Sequence, residues 1–163
     1  MDPAAAEELL KIEHKHRGCG PQTGIFTDGG SAPNPGAGGW GVVCVVEGRV
    51  VWRARGGSAE PTTNNRMELQ AVVEALERTV PGENSVLFSD STLAVQTLTL
   101  WATKWEAAGW VRPKNGLVAN KDLVVRAFEL FKARPGITIK WIKVKTKRKR
   151  VVVVLISECF FLI

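Results

Sequence analysis

The sequence predicts an α/β layered domain, and three observations predict it. Three strand-like segments joined by short links occupy Ile25–Gly57, the hydrophobic period changes from two to about 3.6 near Asn65, and two further strand segments follow, separated by helical ones. Short links make the first three strands an antiparallel meander, whereas strands reached through helices are free to lie parallel.

The order begins with Ile25-Phe26-Thr27, an apolar run that ends on Asp28 and passes at once into Gly29-Gly30-Ser31-Ala32-Pro33-Asn34-Pro35-Gly36. This reads as a buried strand ending in a tight loop, with Asp28 at its carboxyl end, where open α/β sheets place their ligand sites. An Asx-turn opened by Asp28 is the simpler alternative. Trp40–Val46 is the second strand, Glu47-Gly48 the hairpin turn and Arg49–Gly57 the third. In the third strand Val51 and Arg53 share one face, and Val50 and Trp52 the other.

From Asn65 to Val80 the apolar residues Leu69, Val72, Val73, Leu76 and Val80 recur at helical spacing, and Pro81-Gly82 stops the helix. Asn65-Arg66-Met67-Glu68 fits a capping box, with Asn65 as N-cap, so Glu68 has a structural reading of its own. Ser85–Ser89 is another buried strand ending on a carboxylate, Asp90, which with Ser91 can cap the helix over Leu93–Trp101. Residues 101–120 mix tryptophan with positive charge (Trp101, Lys104, Trp105, Trp110, Arg112, Lys114), followed by a helix over Asp122–Ala133 and a last strand over Ile137–Val144. The mixed stretch suits a nucleic-acid contact or a surface helical hairpin with Trp105 and Trp110 turned inward.

Length and composition set the bounds. The chain has 163 residues, 45% hydrophobic and 23% charged, enough for one domain with a full core. A net charge of +6 favours a polyanionic partner, nucleic acid first. Three scattered cysteines point to a reducing compartment without a disulfide framework. The acidic N-terminus is not a signal peptide, and no apolar run approaches the ~20 residues of a membrane span, so a soluble cytoplasmic protein is expected. Residues 1–23 form an extension with a short helix over Pro3–Lys15, the domain occupies 24–144, and 145–163 are a basic, then apolar tail. His14, His16 and Cys19 match no zinc spacing.

Asp28, Glu68 and Asp90 therefore stand at the ends of two strands and the start of one helix. Gathered above an apolar layer, they repel one another unless a divalent cation neutralises them, and hard oxygen donors favour Mg²⁺ or Mn²⁺.

Thr27-Asp28-Gly29-Gly30-Ser31 with Pro33-Asn34-Pro35-Gly36 and Gly38-Gly39, then Thr62-Thr63-Asn64-Asn65-Arg66-Met67-Glu68-Leu69, then Ser89-Asp90-Ser91, resemble type 1 ribonuclease H in order and spacing. The resemblance runs from about Ile25 to Val144. It implies the ribonuclease H-like fold: a five-stranded mixed sheet, three strands antiparallel and two parallel, flanked by helices. It further implies hydrolysis of the RNA strand of RNA–DNA hybrids, leaving 3′-hydroxyl and 5′-phosphate ends, without a protein nucleophile or small-molecule cofactor. Asp28 would bridge two ions, Glu68 would hold one of them and position the ribose, and Asp90 would hold the other. Gly29, Asn34, Asn64 and Asn65 would face the minor groove and its 2′-hydroxyls, Thr63 a phosphate of the DNA strand, and Trp101 and Lys104 the DNA backbone. A monomer is expected.

The resemblance stops after Val144. Lys147 falls where the family carries a histidine, and the family's last helix, with a fourth carboxylate, is absent or replaced by Lys145–Arg150 and the apolar Val151–Ile163. Glu158 lies near the spacing of that carboxylate. The tail reads as an out-of-frame ending, a basic nucleic-acid grip or an interfacial anchor, and Val151–Ile156 carries an aggregation liability. A weakened second ion site and reduced activity follow as expectations. A catalytically silent hybrid-binding module, or a connection domain of a larger polymerase, are the alternatives.

Overall fold

A computed structural model describes residues 20–112 and 116–143. Strands β1 (Gly24–Ser31), β2 (Gly36–Val46) and β3 (Arg49–Thr62) form the antiparallel meander. Helix α1 (Asn64–Arg78) leads to β4 (Ser85–Ser89), which pairs parallel with β1. After β4 come α2 (Thr92–Gln96), a π-helical turn (Thr97–Trp101) and α3 (Ala102–Ala107). A small ribbon of β5 (Val111–Arg112) and β6 (Gly116–Leu117), then α4 (Lys121–Lys132) and β7 (Ile137–Trp141), complete the order. The sheet runs β3-β2-β1-β4-β7, with β7 parallel to β4, so the mixed five-stranded sheet expected from the sequence is present.

The helices build one apolar layer. Ile25, Val42, Leu87, Ile137 and Ile139 of the sheet meet Leu69, Val72, Val73 and Leu76 of α1 and Val124, Ala127 and Phe128 of α4. Burying a side chain such as Leu76 or Leu87, both fully buried, stabilises the fold by roughly 1.5–3 kcal/mol. On the other face of the strands, Phe26 stacks on Phe88 with ring centroids 5.0 Å apart.

The sequence expectations need correction in several places. Strand β1 does not end in a loop at Asp28: it continues through Gly29, Gly30 and Ser31, which pair with Trp40, Gly39 and Gly38. Two glycine-rich segments lying side by side satisfy each other's backbone groups, so a composition that reads as turn becomes ladder. The connection shrinks to residues 32–35, β2 starts at Gly36 rather than Trp40, and β3 extends past Gly57 to Thr62. Helix α1 is capped by Thr63, not Asn65, and ends at Arg78, leaving Val80 outside and exposed. The helix expected over Leu93–Trp101 is interrupted by the π turn and continues to Ala107. Stretch 101–120 is thus a helix end followed by a β ribbon rather than a helical hairpin, and β7 ends at Trp141. The hairpin turn at Glu47-Gly48 is as expected, both residues adopting positive φ (51° and 77°). The Pro3–Lys15 helix, His14, His16, Cys19, Lys114, Asn115, Lys147, Glu158 and the whole 145–163 tail lie outside the described residues.

One glycine sets how the layers meet. A Cβ on Gly29 would lie 2.3 Å from the carbonyl carbon of Met67 and 2.4 Å from the amide nitrogen of Glu68, so α1 crosses β1 backbone against backbone. Gly30, next along, has only Asn64 Oδ1 near its would-be Cβ, at 3.9 Å. Gly29→Ala is therefore expected to destabilise by about 1–3 kcal/mol, as overpacked sites do, and Gly30→Ala by no more than ~0.5 kcal/mol. Urea unfolding of the two variants beside the parent checks this contrast.

Candidate active site

The parallel register sets two carboxylates side by side. Thr27 of β1 is paired with Ser89 of β4, so Asp28 and Asp90 each stand one residue beyond a matched pair on neighbouring strands. The third comes from α1, brought in by the contact at Gly29. All three carboxylates are half-buried.

Their electrostatics show that they share one region. Asp28 is raised from 3.8 to about 6, first by burial, then by the charge of Asp90 and, more weakly, of Glu68; the Gly29 N–H, donating to Asp28 Oδ1 at 2.8 Å, works the other way. Glu68 is raised by burial and by Asp90, against a hydrogen bond from Ser91. Burial also raises Asp90, while its own backbone N–H opposes the shift. Among the described residues, no cation is among the causes that shift any of the three. As they stand, no three Asp, Glu, His or Cys side chains among the described residues are close enough to hold an ion between them. Glu68 Oε2 accepts a hydrogen bond from the Ser91 hydroxyl, in the turn that carries Asp90.

The simpler readings of the acids change accordingly. With Thr63 as N-cap, its Oγ1 accepting from the Arg66 N–H at 3.3 Å, Glu68 falls two residues past the capping-box position and does not serve the cap. Nor does Asp90 cap α2; Ser91 does, its Oγ accepting from the Ala94 N–H at 3.1 Å. The Asp90 carbonyl instead accepts from the indole N–H of Trp141 at 3.0 Å, so β7 steadies the turn that carries it.

Of the residues expected to bind substrate, some adjoin the acids. Asn64 Oδ1 accepts from the Ser31 N–H at 2.7 Å, and Asn34 Oδ1 accepts from the Asn64 N–H at 3.2 Å. The Ser31 hydroxyl reaches both side-chain oxygens at 3.1 Å. This network fixes the 32–35 connection to the start of α1, on the strand that carries Asp28, and Gly29 lies between. Thr63 is exposed and occupied as the helix cap, and Asn65 is exposed on the first turn. Arg66 anchors that turn through a bidentate pair with Asp122, at 2.6 and 3.0 Å, and a bond to Asn120 Oδ1 at 3.4 Å.

Trp101 and Lys104 belong to the rod of α2, the π turn and α3. Trp101 packs on Trp105 with centroids 5.8 Å apart, and Lys104 is exposed. Trp105 and Trp110 pack onto the core, Trp110 edge-on against Phe128 at 6.1 Å, so the inward reading of those two tryptophans holds. Two cavities of about 200 and 440 Å³ lie elsewhere, and none of the three carboxylates lines them. Sequence reasoning assigned no site role to Ser31, Ser91 or Trp141. Ser91 directly follows the carboxylate after β4, which was the available signal; Ser31 and Trp141 carried none.

The strand order, three antiparallel strands continued by two parallel ones, defines an RNase H-like α/β protein. Residues 21–148 match the family model described as RNase H. The ribonuclease H of Ruegeria pomeroyi is 39% identical over 127 residues, covering 76% of this chain and 81% of the relative. That of Gluconobacter oxydans is 42% identical over 125 residues, covering 77% and 80%. Among solved structures, RNase H1 from the halophilic archaeon Halobacterium salinarum superposes with a TM-score of 0.61 at 23% identity, covering 86% of this chain and 98% of that one. LC11-RNase H1 in complex with an RNA/DNA hybrid gives 0.59 at 23% identity, covering 82% and 93%. The chain belongs to the RNase H family.

The raised Asp28 has a consequence for stability. The folded chain keeps that proton to about pH 6, whereas an ordinary Asp loses it near 3.8. The native state thus binds more protons in that window, and stability falls as pH rises through it. In EDTA, Asp28→Asn is expected to exceed the parent by on the order of 2 kcal/mol at pH 7 and to match it near pH 3.5. Thermal unfolding across pH measures this; parallel curves would contradict it.

Proposed function

We propose that this chain hydrolyses the RNA strand of RNA–DNA hybrids, using Asp28, Glu68 and Asp90 to hold divalent cations, Mg²⁺ or Mn²⁺. The observation that carries the reading is the electrostatic coupling of three carboxylates from β1, α1 and the turn after β4. Membership of the RNase H family supports it, as does the likeness to LC11-RNase H1, which was solved with an RNA/DNA hybrid.

The donor set fits such ions: three carboxylates supply hard oxygen ligands, and burial raises the proton affinity of each, with the charge of Asp90 adding to it at Asp28 and Glu68. When bound, a pair of cations lowers the pKa of an attacking water and neutralises the leaving 3′ oxygen. The chain's own part is placement. Asp28 would be offered from β1, Glu68 from α1 and Asp90 from the turn after β4, with the charge of Asp90 acting on both of the others. Asn34 and Asn64, their carbonyl oxygens held within the Ser31 network, have side-chain N–H₂ groups to offer to 2′-hydroxyls and minor-groove acceptors. Gly29, Thr63 and Asn65 extend this minor-groove and phosphate contact, and Lys104 with Trp101 meets the DNA backbone.

The expectation of reduced activity rests on the tail, and no observation on the described residues favours it. Among the described residues no helix is long and apolar enough to cross a membrane.

A labelled hybrid incubated with Mg²⁺ or Mn²⁺ should be cut in the RNA strand, and Asp28→Asn should lower the rate by at least ~10²-fold, since cation stabilisation of the transition state is worth several kcal/mol. Equal rates for parent and variant in both metals, with hybrid binding intact, would leave only a binding module. Lys104→Ala should weaken hybrid binding and lower the slope of log K against log salt by about one; filter binding across a salt series tests this.

A further inference from the structure

We propose that Ser91 is a positioning residue for Glu68, directing its carboxylate toward the cation site; this rests on the reading that the acidic cluster binds a divalent cation. Ser91 is only 6% exposed and lies in the turn that also carries Asp90. Its backbone N–H donates to Ser89 Oγ at 3.2 Å, which anchors the residue to the end of β4. Its hydroxyl serves two neighbours. Oγ accepts from the Ala94 N–H at 3.1 Å, completing the start of α2, and donates to Glu68 Oε2.

A serine hydroxyl has one proton and two acceptor sites. The Ala94 N–H takes one acceptor site, and toward an ionised carboxylate, which can only accept, the hydroxyl contributes its proton. Helix capping alone would not require this arrangement, because capping needs only an acceptor, and glycine at that position costs just a few tenths of a kcal/mol relative to serine. Only a hydroxyl joins both partners from one atom. The bond crosses from α1 to the β4–α2 turn and so holds Glu68 at a set place relative to Asp90. One Glu68 oxygen is used, and the other is left for an ion.

Glycine and threonine at position 91 separate the two roles. Ser91→Gly keeps a workable helix start and removes the proton, whereas Ser91→Thr keeps both. Mn²⁺ affinity of the substrate-free protein, read from the electron paramagnetic resonance signal of free Mn²⁺, is the readout, with circular dichroism melts alongside. Ser91→Gly should bind Mn²⁺ about 10-fold or more weakly, as when partners that orient metal ligands are removed, while melting within a few degrees of the parent. Ser91→Thr should stay within about twofold of the parent. Parent-like Mn²⁺ affinity in Ser91→Gly would overturn the proposal, and so would an unfolded Ser91→Gly, which would make the role structural. Asp28→Asn separates the two levels: if the parent binds Mn²⁺ no better than Asp28→Asn does, the cation reading itself fails and the positioning role falls with it.

Discussion

Everything in the site depends on how closely α1 crosses β1. At Gly29 the two backbones meet with no room for a side-chain carbon, and that contact brings Glu68 to the strand bearing Asp28. The sheet alone would supply two acids through the β1–β4 register; the helix supplies the third only because glycine allows the approach. The same strand then holds the helix start through Ser31 and Asn64, so packing and polar contacts fix one geometry.

The fold gathers these charges at a cost. Burial and like charge both favour protonated acids, and Asp28 bears most of it. A structure selected for stability alone has no use for such a cluster, because each acid could be replaced without loss of core packing. A half-buried carboxylate raised as far as Asp28, beside two others, is the kind of group that functional sites gather. Around them lie restraints that do not touch the core: Ser91 on Glu68, Trp141 on the Asp90 carbonyl, and the Gly29 N–H on Asp28. The larger ion pairs, such as Arg66 with Asp122, lie at the surface and contribute little to stability. Arg66 serves rather to tie the start of α1 to the start of α4.

The sequence was most informative where periodicity was long. The meander, α1, β4 and α4 follow from alternation and helical spacing. It was least informative where partners come from elsewhere in the chain. Gly29 and Gly30 look like turn residues, and only pairing with Gly39 and Trp40 makes them strand. Thr63, Asn64 and Asn65 can all cap a helix; tertiary contact decides, since the Asn64 side chain is engaged by Ser31 and Thr63 is left to cap. The π turn at Thr97–Trp101 has no signature in residue type. Ser91 reads as a cap in any sequence, and its second bond depends on α1 arriving beside it.

Metal location tests the central claim most directly. Crystals soaked in Mn²⁺ and measured near the manganese absorption edge should show anomalous density within about 2.0–2.5 Å of carboxylate oxygens, shared between Asp28 and at least one of Glu68 and Asp90. Density absent from this cluster at saturating Mn²⁺, or bound only to acids elsewhere on the surface, would contradict the account.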